Sequence, residues 1–126
     1  MSYVKSFKEL EVYRTARALS EEIFEVSKSF PKGEMYSLTD QIRRSSRSIG
    51  AQIAEGWANR KYEIHFISKL TDSDGEQLET QHWIETAVDC EYLSKEQSMM
   101  LFQKCSSIGR MLCVMTEKAP SFCNNK

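Results

Sequence analysis

Proline and glycine are scarce, with two prolines and five glycines in 126 residues. Both residues weaken or break helices, so their scarcity favours long uninterrupted ones. Histidine is equally sparse, at two residues. No nucleophile elbow or phosphate loop accompanies them, so nothing points to nucleophilic or phosphoryl chemistry. An excess of one charge is also missing, since 17 basic residues face 18 acidic ones for a net charge of −1. That balance argues against general adhesion to nucleic acid or to an anionic membrane. No apolar run approaches the ~20 residues that span a bilayer. The stretch Met1 to Lys8 has no apolar core, so a signal peptide is not expected. Cysteines 90, 105, 113 and 123 include no CxxC pair, which argues against a structural zinc site. Without an export signal, reduced thiols in a cytoplasm are the expectation.

What remains is an ordinary globular composition, 40% hydrophobic and 28% charged, at a length suited to one domain over residues 1–126. Apolar and small residues recur at helical spacing. The first row is Val12, Ala16, Leu19, Ile23, Val26 and Phe30; the second is Leu38, Ile42, Ser46, Ile49, Ile53 and Gly56; the last is Leu101, Cys105, Ile108, Leu112, Met115 and Ala119. Such alternating steps of four and three form the seam of a helical bundle. The third segment is less regular, with Ile67, Leu70, Leu78, Ile84 and Val88 on its apolar side and Asp74 and Gln81 among them. Phe30-Pro31-Lys32-Gly33 ends the first helix, and Ser94 with Gln97 forms a capping box before the last. These signals predict an all-α, antiparallel up-down four-helix bundle with helices at 9–29, 37–58, 62–88 and 95–118. The tail after Pro120 is expected to be loose.

Charge is unevenly placed along the chain. Residues 37–61 carry a balance of +3 and residues 62–93 a balance of −7. The basic stretch includes Arg43, Arg44, Arg47, Arg60 and Lys61, a candidate nucleic-acid patch because the planar guanidinium suits phosphate. The alternative is ion pairing within the bundle or across a subunit contact, with Glu55, Glu76 and Glu79 as partners. Glu79-Thr80-Gln81-His82 has the Glu-x-x-His spacing of ferritin-like di-metal bundles. Such a site needs two of these motifs and the chain has one, so no metal, cofactor or catalytic residue is assigned. Apolar residues off the main seams (Phe24, Phe66, Trp83, Met100, Met111 and Val114) suggest a subunit interface.

Several short pieces, in order, carry a family resemblance. They are Phe7 with Leu10-Glu11-Val12-Tyr13; Phe30-Pro31 with Glu34-Met35-Tyr36-Ser37-Leu38; Gln41-Ile42-Arg43-Arg44-Ser45-Ser46; Ile53-Ala54-Glu55-Gly56; Glu76, Glu79-Thr80-Gln81 and Trp83; Tyr92-Leu93; and Arg110-Met111-Leu112. In these the chain resembles the four helix bundle protein family, also called 23S rRNA intervening-sequence proteins and sometimes described as ribosomal proteins. Gln52 stands where that family usually has Asn. The resemblance implies an up-down bundle, a homo-oligomer (most often a ring of five) and no known catalysis. It also implies a link to large-subunit ribosomal RNA genes. A related accessory protein binds a reverse transcriptase and RNA through a basic surface. The expectation is therefore a cytoplasmic, non-enzymatic accessory or scaffolding protein whose partners are itself and RNA or an RNA-processing protein, with no membrane contact.

Overall fold

In the computed structural model, which describes residues 4–123, the chain is all helical and carries no strand among those residues. A capped turn opens it. Ser6 Oγ accepts from the Lys8 amide, and Glu9 Oε2 accepts from the Ser6 amide at 2.9 Å. That box precedes helix α1 (Glu11–Ser27), so the first helix begins two residues later than its apolar pattern suggests. The Phe30-Pro31 stop leads into a tight turn at Lys32–Glu34 and a wide turn at Met35–Thr39. Helix α2 (Asp40–Ala58) then runs straight into a short link to α3 (Glu63–Asp89), the longest helix. Helix α4 (Lys95–Glu117) starts on the predicted box, with Ser94 Oγ accepting from the Gln97 amide at 3.1 Å. One further turn, α5 (Ala119–Phe122), lies where a loose tail is expected. It is held by Ala119, which is fully buried, and by Phe122, whose ring stacks 5.9 Å from Phe66.

Four long helices pack in a closed cycle, with α1 on α2 and α4, and α3 on α2 and α4. Leu19, Ile23, Ile42, Ile49, Ile84, Cys105 and Ile108 are all fully buried at its centre. Each such aliphatic side chain contributes about 1.5–3 kcal/mol through the area removed from water. Burial also pushes the Cys105 thiol up to about 12, which leaves it an inert core residue.

The α2–α3 contact is the most extensive, and small polar residues make it so. Ser45, Ser46, Ser73 and Thr80 are buried. The Thr80 hydroxyl lies 2.9 Å from that of Ser45, and Ser73 donates to the Ile49 carbonyl at 2.9 Å. Further along, a Cβ added at Gly56 would sit 3.2 Å from Lys69 Cβ. That is tighter than most side-chain contacts, so glycine lets the two helices come this close without a shift of Lys69.

Helix α3 departs from its sequence reading. Its buried row is Phe66, Leu70, Ser73, Gln77, Thr80, Ile84 and Ala87. Leu78, expected inside, is 55% exposed, whereas Phe66, expected at a subunit contact, is core. The polar members of the true row hide it from a hydrophobicity pattern, and their hydroxyls are satisfied by backbone carbonyls and by Ser45 of α2. On the opposite face, Ile64, Ser68, Thr71, Gly75, Leu78, His82, Glu85 and Asp89 form a second row, all exposed, in unbroken steps of four and three.

Both connections at one end of the molecule meet in a single contact. Tyr92, just after α3, donates its phenol proton to Glu34 Oε2 at 2.7 Å, and its ring lies 5.6 Å from Phe30. Glu91 beside it adopts φ 64, the left-handed conformation that closes α3.

Candidate functional site

The five basic residues of the candidate nucleic-acid patch fall into three separate settings. Arg44 points towards α3. Its Nη2 donates to Glu79 Oε2, and its Nη1 lies 3.6 Å from Glu76 Oε1. The Trp83 indole donates to the same Glu79 oxygen at 3.1 Å. Burial raises the Glu79 carboxyl, but the hydrogen bonds from Trp83 and Arg44 outweigh it and hold the group below its usual range. The bond to Glu79 likewise raises the guanidinium of Arg44. With Arg44 about half exposed, this network is worth roughly 1 kcal/mol. Glu76, Glu79 and Trp83 are thus brought together, but Glu55 is not among them. It lies across the α2–α3 contact from Lys69, with Nζ at 3.7 Å.

Arg43 and Arg47 are one helical turn apart on the side of α2 that faces α1. Arg43 Nε donates to Ser27 Oγ at 2.8 Å, and its guanidinium lies 4.7 Å above the Phe24 ring. That of Arg47 lies 5.5 Å from the same ring, and Lys28 Nζ lies 4.8 Å from it. Lys28 is paired with Glu25 at 3.1 Å, whereas neither Arg43 nor Arg47 forms an ion pair among the described residues. Phe24 is therefore a shared platform for uncompensated charge. Its place off the main seam is the only sequence signal of that role.

Arg60 and Lys61 lie past the end of α2, roughly 20 Å along the chain axis from Arg47 at 1.5 Å per residue. The Arg60 guanidinium stacks 3.6 Å over Trp57 while its Nε donates to the Trp57 carbonyl at 2.9 Å. Lys61 Nζ stands 5.7 Å from the Tyr62 ring, which packs 5.5 Å from His65. Tyr62, Lys61 and His65 are exposed.

Between α1 and α2 runs an open groove of about 670 Å³. Gly50, Ala51 and Ala54 make its floor, Phe7, Tyr13 and Phe24 its walls, and Arg47 one rim. Aromatic walls over a floor of small residues suit a helix laid lengthwise. Of the apolar residues expected at an interface, Met100 and Val114 are about half exposed on α4, and Met111 packs partly against the core.

No group of three or more His, Cys, Asp or Glu side chains among the described residues is placed to hold a metal ion. His82, the imidazole of the Glu-x-x-His spacing, packs edge-on against Trp83 at 4.7 Å. No helix among the described residues is long and apolar enough to cross a membrane. Gln52, the departure from the family's Asn, is half-buried with no hydrogen-bond partner for its amide oxygen.

Comparisons with a family model and with solved structures point the same way. The family model for the 23S rRNA-intervening sequence protein matches residues 8–114. A solved structure from Bacteroides thetaiotaomicron VPI-5482, described as a protein with unknown function from the S23 ribosomal protein family, superposes with a TM-score of 0.75. It shares 26% identity, and the match covers 83% of this chain and 97% of that one. No curated protein matches the chain.

Proposed function

The chain belongs to the 23S rRNA-intervening sequence protein family, and from that premise we propose that it is a non-enzymatic scaffold which self-associates through the outer face of α2. The groove between α1 and α2 carries this reading. A monomer leaves Ala51 and part of the Phe7, Tyr13 and Phe24 rings in water, where burial against another helix would gain their apolar area. The bundle behind it is read as antiparallel and up-down. In support, Ser45 meets Thr80, Ile49 meets Ser73, and Gly56 meets Lys69, so rising numbers in α2 meet falling numbers in α3. Across α1 and α4, Lys104 donates to Glu22 while Val12 lies beside Met111 and Met115, so rising numbers in α1 likewise meet falling numbers in α4.

The assembly is a closed homo-oligomer, a ring of five on the family pattern, acting in the cytoplasm as an accessory protein. Light scattering at micromolar concentration tests this. The expected mass is several times 14.6 kDa, and a stable 14.6 kDa species would refute the reading.

A second reading, RNA binding, rests on the end of the bundle. Lys61, Tyr62 and His65 place an exposed cation beside exposed aromatic rings, the pairing on which single-stranded bases stack and phosphates are neutralised. A ring would present several such ends together and raise avidity. Lys61→Ala with Tyr62→Ala should weaken binding of a single-stranded RNA at least tenfold and flatten its salt dependence. Unchanged affinity would remove this surface from consideration.

A further inference from the structure

We infer that the α1–α2 groove is filled by the outer face of α3 from a second copy of this chain, laid antiparallel to α2. This rests on the proposed self-association and supplies its contact. The exposed row of α3 keeps the spacing of a bundle seam but is mostly polar; its apolar members, Ile64 and Leu78, are exposed at 75% and 55%, with an open Gly75 between them. Its far end is acidic. Glu85 and Asp89 are exposed, one helical turn apart, with no Lys or Arg at ion-pair distance among the described residues.

The α2 side of the groove and the cleft next to it present complementary charge at the same spacing. Arg47 lines the groove and Arg43 lies one turn before it, and neither forms an ion pair among the described residues, whereas Glu21 and Glu25 on the α1 side of the groove are already paired with Arg17 and Lys28. Setting Arg43 against Asp89 and Arg47 against Glu85 puts Ala51 opposite His82 and Ala54 opposite Leu78. Leu78 then enters the groove over its small-residue floor, between walls that include Phe7 and Tyr13. Charge fixes the direction of docking, because a parallel arrangement would carry the two carboxylates away from the two arginines. The faces are different surfaces of one subunit, so the contact is head-to-tail, the kind that closes into rings. RNA is the lesser claimant on these arginines. Of the cations nearby, Arg44 is paired with Glu79 and Lys28 with Glu25, which leaves Arg43 and Arg47, and two neutralised phosphates release few counterions.

Charge reversal tests the pairing on the full chain. Arg43→Glu with Arg47→Glu, and separately Glu85→Arg with Asp89→Arg, should each reduce the mass in solution to 14.6 kDa. Combining all four substitutions restores opposite charges across every contact and should recover the wild-type mass. Leu78→Asp, at a residue outside the core, should also dissociate the assembly while helical circular dichroism stays native. Wild-type mass in either double variant, or a folded but monomeric fourfold variant, would overturn the assignment and leave self-association standing on another surface. If the Arg43/Arg47 reversal abolishes RNA binding while the mass is unchanged, the arginines belong to RNA. A wild-type chain that is itself 14.6 kDa would defeat self-association as a whole.

Discussion

At the residue scale, small polar side chains do work that a hydrophobicity pattern assigns to larger apolar ones. Thr80 is fully buried on α3, where its hydroxyl donates to the Glu76 carbonyl at 2.8 Å and lies 2.9 Å from the Ser45 hydroxyl. Thr80→Val keeps the shape but leaves Ser45 with only its long 3.4 Å bond to the Ile42 carbonyl, and should cost about 1 kcal/mol in urea denaturation. Adding Ser45→Ala removes the stranded hydroxyl, so the double variant should lose less than the sum of the two singles. Ser46 was legible as a seam residue because its neighbours in the row are isoleucines. Ser73 and Thr80 were not, since nothing in their composition distinguishes a satisfied buried hydroxyl from a solvated one. The same limit applies to charge. Arg44 pairs with Glu79 while Arg47, three residues on, rests on Phe24, and only the direction of each side chain separates them.

At the element scale, α1, α2 and α4 were readable because each buries a nearly unbroken row of apolar or small residues. Helix α3 was not, because it carries two competing rows, one buried and partly polar, the other exposed and partly apolar. The connections also have a structure of their own, which the sequence marks only as stops. The link after α1 and the link after α3 are joined by the Tyr92–Glu34 bond. That bond pushes the Tyr92 phenol from its ordinary 10 up to about 12. A phenol raised on folding contributes stability that is complete below 10 and is lost as pH rises through about 12. Glu34 is held below its ordinary value by the hydroxyl of Ser37 and then by that of Tyr92. Its contribution is therefore present above the usual carboxylate range and is lost on acidification. In phenolate absorbance, the difference between wild type and Tyr92→Phe should show a group titrating near 12, and Glu34→Gln should bring it back towards 10. A Tyr92 that titrates near 10 in the wild type would show that the two links are not joined in solution.

At the scale of the whole molecule, a net charge of −1 conceals a basic α2 beside an acidic α3. Internal pairing uses Arg44 with Glu76 and Glu79, and Lys69 with Glu55; among the described residues Arg43 and Arg47 form no ion pair, nor do Glu85 and Asp89, nor Asp40, Glu63, Asp72 and Asp74. Charges left on different faces of one subunit suit contacts between subunits, and exposed pairs of this kind are screened by salt. In the light-scattering experiment the mass should accordingly fall as salt rises, with the apolar groove resisting complete dissociation. The four long helices, their approximate bounds and most of the core follow from the chain alone, because a period of 3.6 residues and the placement of proline, glycine and capping residues are local properties; the α5 turn does not. Family membership was legible for the same reason, since short pieces in a set order carry it. Which arginines are paired, which row of α3 is buried, and whether a groove lies open beside α2 are decided only when the helices pack. Those outcomes depend on which side chains from distant parts of the chain come within a few ångströms, and no single segment contains that information.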